Sequence, residues 1–305
     1  MNLEGVFPPI PTPFRNNSVD HRGLAANVAR WMQTRLAGLV VLGSNGEAPL
    51  LDEAESDAAL DTARAHMPRE RTLIGGVGRE STAATIAAAR RAARIGADVV
   101  LVRTPSYYKN VMTTDAFVRH FTAVADASPA PVLLYNVTMF TGVNLLPEAV
   151  ERLAAHPNIV GMKESGSDIA QIAEFVSRTP DDFTVLAGSA TTFVHALCAG
   201  CDGAILALAA LAPDACAELA TLVREGRLDE ARTLQQRLLP LAKSVGGTYG
   251  VPGLKAALHL LGFASGPPRP PLRSAAPSTI DSIRGQLEAL GVFPLVPAGR
   301  STVLR

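Results

Sequence analysis

The stretch that decides the fold is Asn-Ile-Val-Gly-Met-Lys at residues 158–163, followed by Glu-Ser-Gly-Ser-Asp at 164–168. The apolar run predicts a buried strand that ends at Lys163, and the small polar residues predict a loop after it. A buried lysine is costly, so one at such a position usually has a use. A desolvated amine loses its proton more easily, and the free amine attacks carbonyl carbon. Lys163 is therefore either a nucleophile facing a cavity or an ordinary surface lysine at a strand end.

Similar short apolar runs recur along the chain, with amphipathic, alanine-rich segments between them at intervals of roughly 30 residues. The eight strand candidates are Gly5–Ile10, Gly38–Leu42, Thr72–Gly76, Asp98–Val102, Pro131–Tyr135, Ile159–Lys163, Thr184–Leu186 and Gly203–Leu206. Strands that are apolar throughout are typical of parallel sheets covered on both faces. Eight such units predict an α/β protein with a (β/α)8 TIM barrel. A doubly wound sheet is the alternative, although no Gly-x-Gly-x-x-Gly follows the first strand.

Helical patterns continue beyond the eighth unit, at 228–245, 253–261 and 279–290. We predict a barrel over residues 1–225, a C-terminal helical extension over 226–291 and a flexible tail over 292–305.

The composition argues against several classes of partner. The chain has 28 basic and 28 acidic residues, and its basic residues are dispersed, which argues against binding to nucleic acid or an anionic membrane. Its apolar runs are too short to cross a bilayer, and its first residues do not resemble a signal peptide. Its three cysteines suit packing residues in a reducing compartment. We therefore expect a cytoplasmic protein that acts on a small molecule.

The active site of a TIM barrel lies at the C-terminal ends of its strands. Residues of interest at these positions are Ser44 and Asn45 after the second strand, Tyr107 and Tyr108 after the fourth, Tyr135 at the end of the fifth, Lys163 at the end of the sixth, Gly188 after the seventh and Ile205 in the eighth. A turn or a packing aromatic would explain each polar residue singly. Their joint occurrence at strand ends favours one shared site.

These residue types suggest a coherent chemistry. A neutral lysine condenses with a ketone to form an imine, which accepts electrons when a neighbouring C–C bond breaks or forms. The hydroxyl of Tyr135 can move the required protons, and Ser44 can relay them. Hydroxyl and backbone N–H groups in the Ser44–Asn45 turn can hold a carboxylate.

The chain resembles the dihydrodipicolinate synthase / N-acetylneuraminate lyase family of class I, pyruvate-type aldolases. The motifs that carry the resemblance are Gly-Ser-Asn-Gly-Glu at 43–47, Thr-Pro-Ser-Tyr-Tyr at 104–108, Leu-Tyr-Asn-Val at 134–137, Gly-Met-Lys-Glu-Ser at 161–165, Ala-Gly-Ser at 187–189 and Gly-Val-Pro-Gly-Leu-Lys at 250–255. The resemblance to this family extends over about residues 5–273. The resemblance implies a lyase with a TIM barrel, a 2-oxo acid substrate, no metal or organic cofactor, and a homotetramer built as a dimer of dimers.

The resemblance also implies roles for individual residues. Lys163 matches the Schiff-base lysine, Tyr135 the proton donor and acceptor, and Ser44 the relay hydroxyl. Tyr107 matches the relay tyrosine, which in some members comes from an adjacent subunit, and Tyr108 takes this role if the alignment shifts by one residue.

The expected substrate-binding residues are Ser44, Asn45, Ser165, Gly188 and Ile205. Among these, Asn45 lies where the family contacts the carboxylate. Ile205 matches a residue whose backbone touches the 2-oxo acid.

Departures from the synthase pattern bear on the substrate. Synthases typically have an arginine where Phe140 stands and Thr-Thr in place of Ser44-Asn45, and the motifs look most like 4-hydroxy-2-oxoglutarate aldolase. We therefore predict cleavage of 4-hydroxy-2-oxoglutarate to pyruvate and glyoxylate. The alternative is 4-hydroxy-tetrahydrodipicolinate synthase, which condenses pyruvate with aspartate semialdehyde; a minor one is a non-catalytic 2-oxo acid binding protein. Arg103 and Lys109 are the candidate cations for a second substrate carboxylate.

Overall fold

The computed structural model describes residues 3–292, in which eight parallel strands form a closed barrel. The strands are β1 (Gly5–Phe7), β2 (Gly38–Val41), β3 (Thr72–Gly76), β4 (Val99–Arg103), β5 (Val132–Asn136), β6 (Ile159–Glu164), β7 (Thr184–Ala187) and β8 (Gly203–Ile205). They pair in the order β1-β8-β7-β6-β5-β4-β3-β2. Between β1 and β2, the Val40 N–H donates to Pro8 O at 3.0 Å and the Ile10 N–H donates to Val40 O at 2.9 Å. These bonds close the sheet, and the predicted TIM barrel is confirmed.

Helices surround the barrel and continue beyond it. They are α1 (His21–Trp31), α2 (Glu53–Ala65), α3 (Thr82–Ile95), α4 (Thr114–Ala127), α5 (Thr138–Thr141), α6 (Pro147–Ala154), α7 (Ile169–Arg178), α8 (Phe193–Cys198), α9 (Pro213–Arg224), α10 (Leu228–Lys243), α11 (Gly250–Leu260) and α12 (Pro277–Leu290). Local sequence explains several ends. Ser81 Oγ accepts the Ala84 N–H at the start of α3, and Gly96 ends that helix with a left-handed φ of 106°. Proline begins both α6 and α9.

The strands are apolar throughout because both of their faces are buried. One face fills the barrel interior with side chains that include Phe7, Val40, Leu133 and Leu186. The alternate residues point outward and pack against the helices, as Val41 and Val100 do. The core therefore consists of an inner cluster and an outer shell, and the polar strand ends remain at the barrel rim.

The C-terminal helices pack on one side of the barrel. Helix α10 contacts α9, and α11 contacts α12. Between α10 and α11 the chain forms a π-helical turn, Ser244–Thr248. The segment after α11 returns to the start of the chain, where Ser265 O accepts the Phe14 N–H at 3.3 Å. The predicted C-terminal helices are confirmed, whereas the predicted tail falls outside the described residues except for Val292.

Candidate active site

A cavity of about 680 Å³ opens at the C-terminal ends of the strands. Its walls come from β5, β6 and β8, from the loops after β2, β5, β6 and β7, and from the junction between α10 and α11. It brings together Ser44, Asn45, Tyr135, Lys163, Ser165, Gly188 and Ile205, which the sequence predicts as site residues. Parallel strands place their carboxyl ends at one rim, and this is why residues so far apart in the chain meet here.

Lys163 and Tyr135 form the centre of this cavity. They are register partners on the neighbouring strands β6 and β5, which fixes them side by side. The Lys163 side chain is only 5% exposed, and its Nζ lies 4.3 Å from the centroid of the Tyr135 ring. The amine is thus enclosed by the barrel and lines the cavity, next to the face of the Tyr135 ring.

Ser44 completes a chain of hydroxyls. Its Oγ lies 3.2 Å from Tyr135 Oη, a distance at which either group can donate a hydrogen bond. Ser44 starts a short 3₁₀ turn, Ser44–Gly46, directly after β2. The turn is held by Thr12, whose Oγ1 donates to Gly46 O at 2.7 Å. Lys163, Tyr135 and Ser44 are therefore neighbours in space, in that order, and a proton can pass between Tyr135 and Ser44.

The Ser44 turn lies between two residues with left-handed backbone angles. Leu42 has a φ of 63° and Glu47 a φ of 57°, values that non-glycine residues rarely adopt. Such conformations persist only where surrounding contacts enforce them, and they cluster at functional sites. Glu47 has these contacts, because Lys255 Nζ lies 2.5 Å from its Oε1 and the Arg269 N–H donates to its Oε2 at 2.7 Å. These anchoring contacts were not predicted, because Glu47, Lys255 and Arg269 are far apart in the chain.

Gly188 is required by the close approach of two loops. Its N–H donates to Glu164 O at 2.5 Å, and a β-carbon at this position would lie 2.3 Å from Ser165 Oγ. Any side chain here would push the loops after β6 and β7 apart. Gly188 thus acts through the space that it leaves between these loops.

Glu164 lines the cavity next to Lys163 and was not predicted as a site residue. It is buried, and its Oε2 accepts a hydrogen bond of 2.6 Å from Asn136 Nδ2, while its Oε1 accepts the Gly166 N–H. Burial raises the pKa of the Glu164 carboxyl, although these donors oppose that effect. Asn136 and Glu164 are register partners one residue beyond Tyr135 and Lys163. The sequence does contain a signal for this network, because Asn136 and Glu164 are polar residues at the ends of two neighbouring apolar strands.

Tyr107 is the predicted site residue that the chain does not bring to the cavity. Its side chain is 78% exposed, and its ring contacts that of Tyr108 at 5.1 Å between centroids. Glu80 fastens the loop by accepting the N–H groups of Ser106 and Tyr107 at 2.8 and 2.9 Å. Burial, the largest influence, acts to raise the pKa of Glu80, but these bonds and Arg103 together hold it below its usual value. The relay role of Tyr107 stays a prediction.

Neither predicted cation for a second carboxylate lines the cavity. Arg103 pairs with Glu80 at 2.7 Å and borders a smaller cavity of about 70 Å³, which Ser44 and Tyr135 also line. Lys109 lies against the backbone of Gly142, where its Nζ would be 2.8 Å from an added β-carbon. Phe140, on helix α5, lines the mouth of the main cavity and is 60% exposed.

Within residues 3–292, no group of three or more His, Cys, Asp or Glu side chains could hold a metal ion. The expected absence of a cofactor stays a prediction. No helix in this range is long and apolar enough to cross a membrane. Burial raises the pKa of the Cys201 and Cys216 thiols to about 12, so neither is a thiolate at neutral pH.

Comparison with known proteins identifies relatives along almost the whole chain. Residues 2–290 match the Dihydrodipicolinate synthetase family. Proteins named 4-hydroxy-tetrahydrodipicolinate synthase are similar, at 34% identity in Methanopyrus kandleri (96% of this chain, 98% of the relative) and 36% in an Exiguobacterium species (88% and 91%). The crystal structure of dihydrodipicolinate synthase from Thermotoga maritima superposes with a TM-score of 0.91 at 33% identity, covering 95% of this chain and 99% of that one.

These relatives correct the sequence-based choice of substrate. The prediction of 4-hydroxy-2-oxoglutarate cleavage is wrong. The relatives from Methanopyrus, Exiguobacterium and Thermotoga match this chain over nearly their full length, and all three are named as synthases. The prediction relied on short motifs around Lys163, Tyr135 and Ser44, which the family resemblance relates to the Schiff-base step and not to the second substrate. Phe140, which stands where synthases typically have an arginine, is not sufficient evidence for a different substrate, since one side chain does not define a binding site. The findings favour the alternative reaction, condensation of pyruvate with an aldehyde.

Proposed function

This chain belongs to the dihydrodipicolinate synthetase family of class I, Schiff-base-forming lyases, and we propose that it is a 4-hydroxy-tetrahydrodipicolinate synthase. Its substrates are then pyruvate and aspartate semialdehyde. The observation that carries the proposal is the meeting of Lys163, Tyr135 and Ser44 in one cavity. The similarity to synthases along nearly the whole chain supports the choice of substrates.

In the proposed reaction, Lys163 Nζ attacks C2 of pyruvate, and loss of water leaves an imine. The pyruvate carboxylate binds at the Ser44–Asn45 turn. Tyr135 gives its hydroxyl proton to the departing water, and the phenolate that remains removes a proton from C3, so that the electron pair of that C–H bond forms an enamine.

The enamine C3 attacks the aldehyde carbon of aspartate semialdehyde, which forms the new C–C bond. The resulting alkoxide takes a proton delivered through Tyr135 and Ser44. The substrate amino group then attacks C2, so that the ring closes as the C–N bond to Lys163 breaks. Lys163 returns to its free form, and no external oxidant or reductant is needed.

We further propose a homotetramer, a dimer of dimers, in which Tyr107 serves the site of an adjacent subunit. Tyr107 and Tyr108 are among the most exposed large apolar side chains, together with Val111, Met139 and Phe140. Apolar side chains exposed in this way are typical of interaction surfaces. We place the enzyme in the cytoplasm, where its free cysteines would stay reduced.

The first test is borohydride trapping with pyruvate, followed by peptide mapping. We expect one reduced pyruvate adduct, on Lys163, and no adduct in Lys163→Ala. Wild-type protein should then convert pyruvate and aspartate semialdehyde, and Lys163→Ala should not. An adduct on another lysine, or full turnover by Lys163→Ala, would refute the assignment of Lys163. An adduct on Lys163 without turnover of aspartate semialdehyde would refute the choice of aldehyde alone.

A further inference from the structure

The chain contains four lysines, and the structure gives each a different environment. Lys163 lies at the centre of the cavity. Lys255 is buried in its ion pair with Glu47. Lys109 lies against Gly142 and does not line the cavity. Lys243 lines the cavity wall, and among residues 3–292 no arginine lines this cavity.

The Lys243 ammonium has no ion pair or hydrogen bond with any residue in the range 3–292. The cavity also contains two carboxylates, but both have other partners. Glu164 accepts hydrogen bonds from Asn136 and Gly166, and Asp168 accepts the Gln171 N–H at 3.1 Å as the cap of α7. Lys243 is therefore a second cation at this cavity, in addition to Lys163, and its charge is not balanced by a protein carboxylate.

The backbone next to Lys243 leaves this wall open. Lys243 ends α10 and leads directly into the π-helical turn Ser244–Thr248, of which Gly246, Gly247 and Thr248 line the cavity. A β-carbon on Gly246 or Gly247 would meet no atom within 4 Å. Turns of this kind are rare and often occur at functional sites. The wall thus has both a free cation and room for a ligand beside it.

We propose that Lys243 binds the carboxylate of the aldehyde substrate, at the wall formed by residues 243–248. This inference rests on the proposed function, in which the aldehyde brings a second carboxylate to the cavity. Phe140 at the mouth offers that carboxylate no charge. Lys243, which lines the same cavity, instead supplies an ammonium, and so selects aldehydes that carry an anionic group.

A purely structural explanation exists for Lys243, because a cation at the end of a helix stabilises the helix dipole. That role would affect thermal stability and would leave substrate selection unchanged. The two roles are therefore separable by kinetics.

The kinetic test compares Lys243→Met and Lys243→Arg with the control Lys109→Met, which removes a lysine outside the cavity. Lys243→Met should raise the KM for aspartate semialdehyde by about 10-fold, the effect of losing one charge-assisted contact at a solvated site. The KM for pyruvate should not change, Lys243→Arg should retain most of the affinity, and Lys109→Met should match wild type. An unchanged KM for the aldehyde in Lys243→Met would overturn the inference.

A second test does not depend on the identity of the aldehyde. Borohydride trapping on Lys163 is titrated with 2-oxoglutarate, which carries a second carboxylate, and with 2-oxobutyrate, which does not. Lys243→Met should raise the half-saturating concentration of 2-oxoglutarate about 10-fold and leave that of 2-oxobutyrate unchanged.

Each outcome separates the two hypotheses. If Lys243→Met changed the half-saturating concentrations of both acids equally, or of neither, the role of Lys243 would be overturned and the Schiff base would remain supported. No adduct with any 2-oxo acid would overturn the proposed function, and the role of Lys243 with it. If only the 2-oxoglutarate value rose but aspartate semialdehyde was not turned over, the carboxylate-binding role of Lys243 would be supported. Only the choice of aspartate semialdehyde as second substrate would be refuted.

Discussion

At the scale of single residues, the chemistry depends on how an amine and a phenol are held. Strand pairing places Lys163 beside Tyr135, and the Ser44 turn brings a second hydroxyl within 3.2 Å of the phenol. None of the three can move far, because two are on barrel strands and the third lies in an anchored turn. Such fixed geometry lowers the entropic cost of reaching the reacting arrangement.

Tyr135→Phe should lower kcat by about 10²–10⁴-fold, since it removes the proton carrier next to the Schiff base. The Lys163 adduct should still form with pyruvate on prolonged trapping, because the amine is untouched. Steady-state kinetics and intact mass give the two readouts. Tyr249→Phe is the matched control, as Tyr249 does not line the cavity. A Tyr135→Phe enzyme with wild-type kcat would show that another group carries the proton.

At the scale of elements, helices α3 and α4 meet at a buried histidine. His120 on α4 is buried, and its Nδ1 lies 2.9 Å from Oγ1 of Thr82 at the start of α3. Its Nε2 has no hydrogen-bond partner among the described residues. Burial lowers the pKa of His120 from its usual 6.5 to about 4, because the charged imidazolium is poorly solvated there.

This pKa predicts loss of stability in acid. Between pH 6.5 and 4 the unfolded chain binds a proton at His120 that the folded chain does not, so stability falls as pH decreases through this range. The shift corresponds to about 3 kcal/mol. In His120→Gln, which cannot be protonated, this part of the acid destabilisation should disappear. Urea unfolding from pH 7.5 to 4 measures it, and the exposed His195→Gln serves as control. Equal pH profiles for wild type and His120→Gln would contradict the prediction.

At the scale of the whole molecule, buried charges join the C-terminal helices to the barrel. Lys255 on α11 pairs with Glu47 after β2, and their side chains are only 2% and 1% exposed. Arg269 makes two contacts of 2.6 Å with Glu55 on α2. The turn that carries Ser44 therefore depends on the C-terminal helices for its position.

Lys255→Met should lower the free energy of unfolding by about 3–5 kcal/mol, because it leaves the Glu47 carboxylate buried without its counter-charge. The double variant Glu47→Gln/Lys255→Met should recover part of this loss. Urea denaturation of both singles and the double gives the coupling energy. Arg232→Met is the control, since its pair with Asp229 is exposed and contributes little. Additive single effects would show that the pair is not coupled.

Some elements could not be predicted from the sequence. The hairpin formed by Phe14–Arg15 and Ser18–Val19, the four-residue helix α5 and the π-helical turn Ser244–Thr248 are too short for a periodic pattern to develop. The barrel strands were predictable because each is a continuous apolar run, and the barrel requires both faces of every strand to be buried.

From the amino-acid sequence alone one can predict the barrel and the residue types at the ends of its strands, including Lys163, Tyr135 and Ser44. Apolar runs are visible locally in the sequence, so the strands and their ends can be predicted. Because the C-terminal ends of barrel strands lie at one rim, the polar residues at those ends can be predicted to share one site. Three-dimensional packing, in contrast, was needed to show that Lys243 shares the cavity with Lys163 and that Lys255 pairs with Glu47. These side chains come from helices beyond the barrel, and closure and packing of the whole chain set which of them meet.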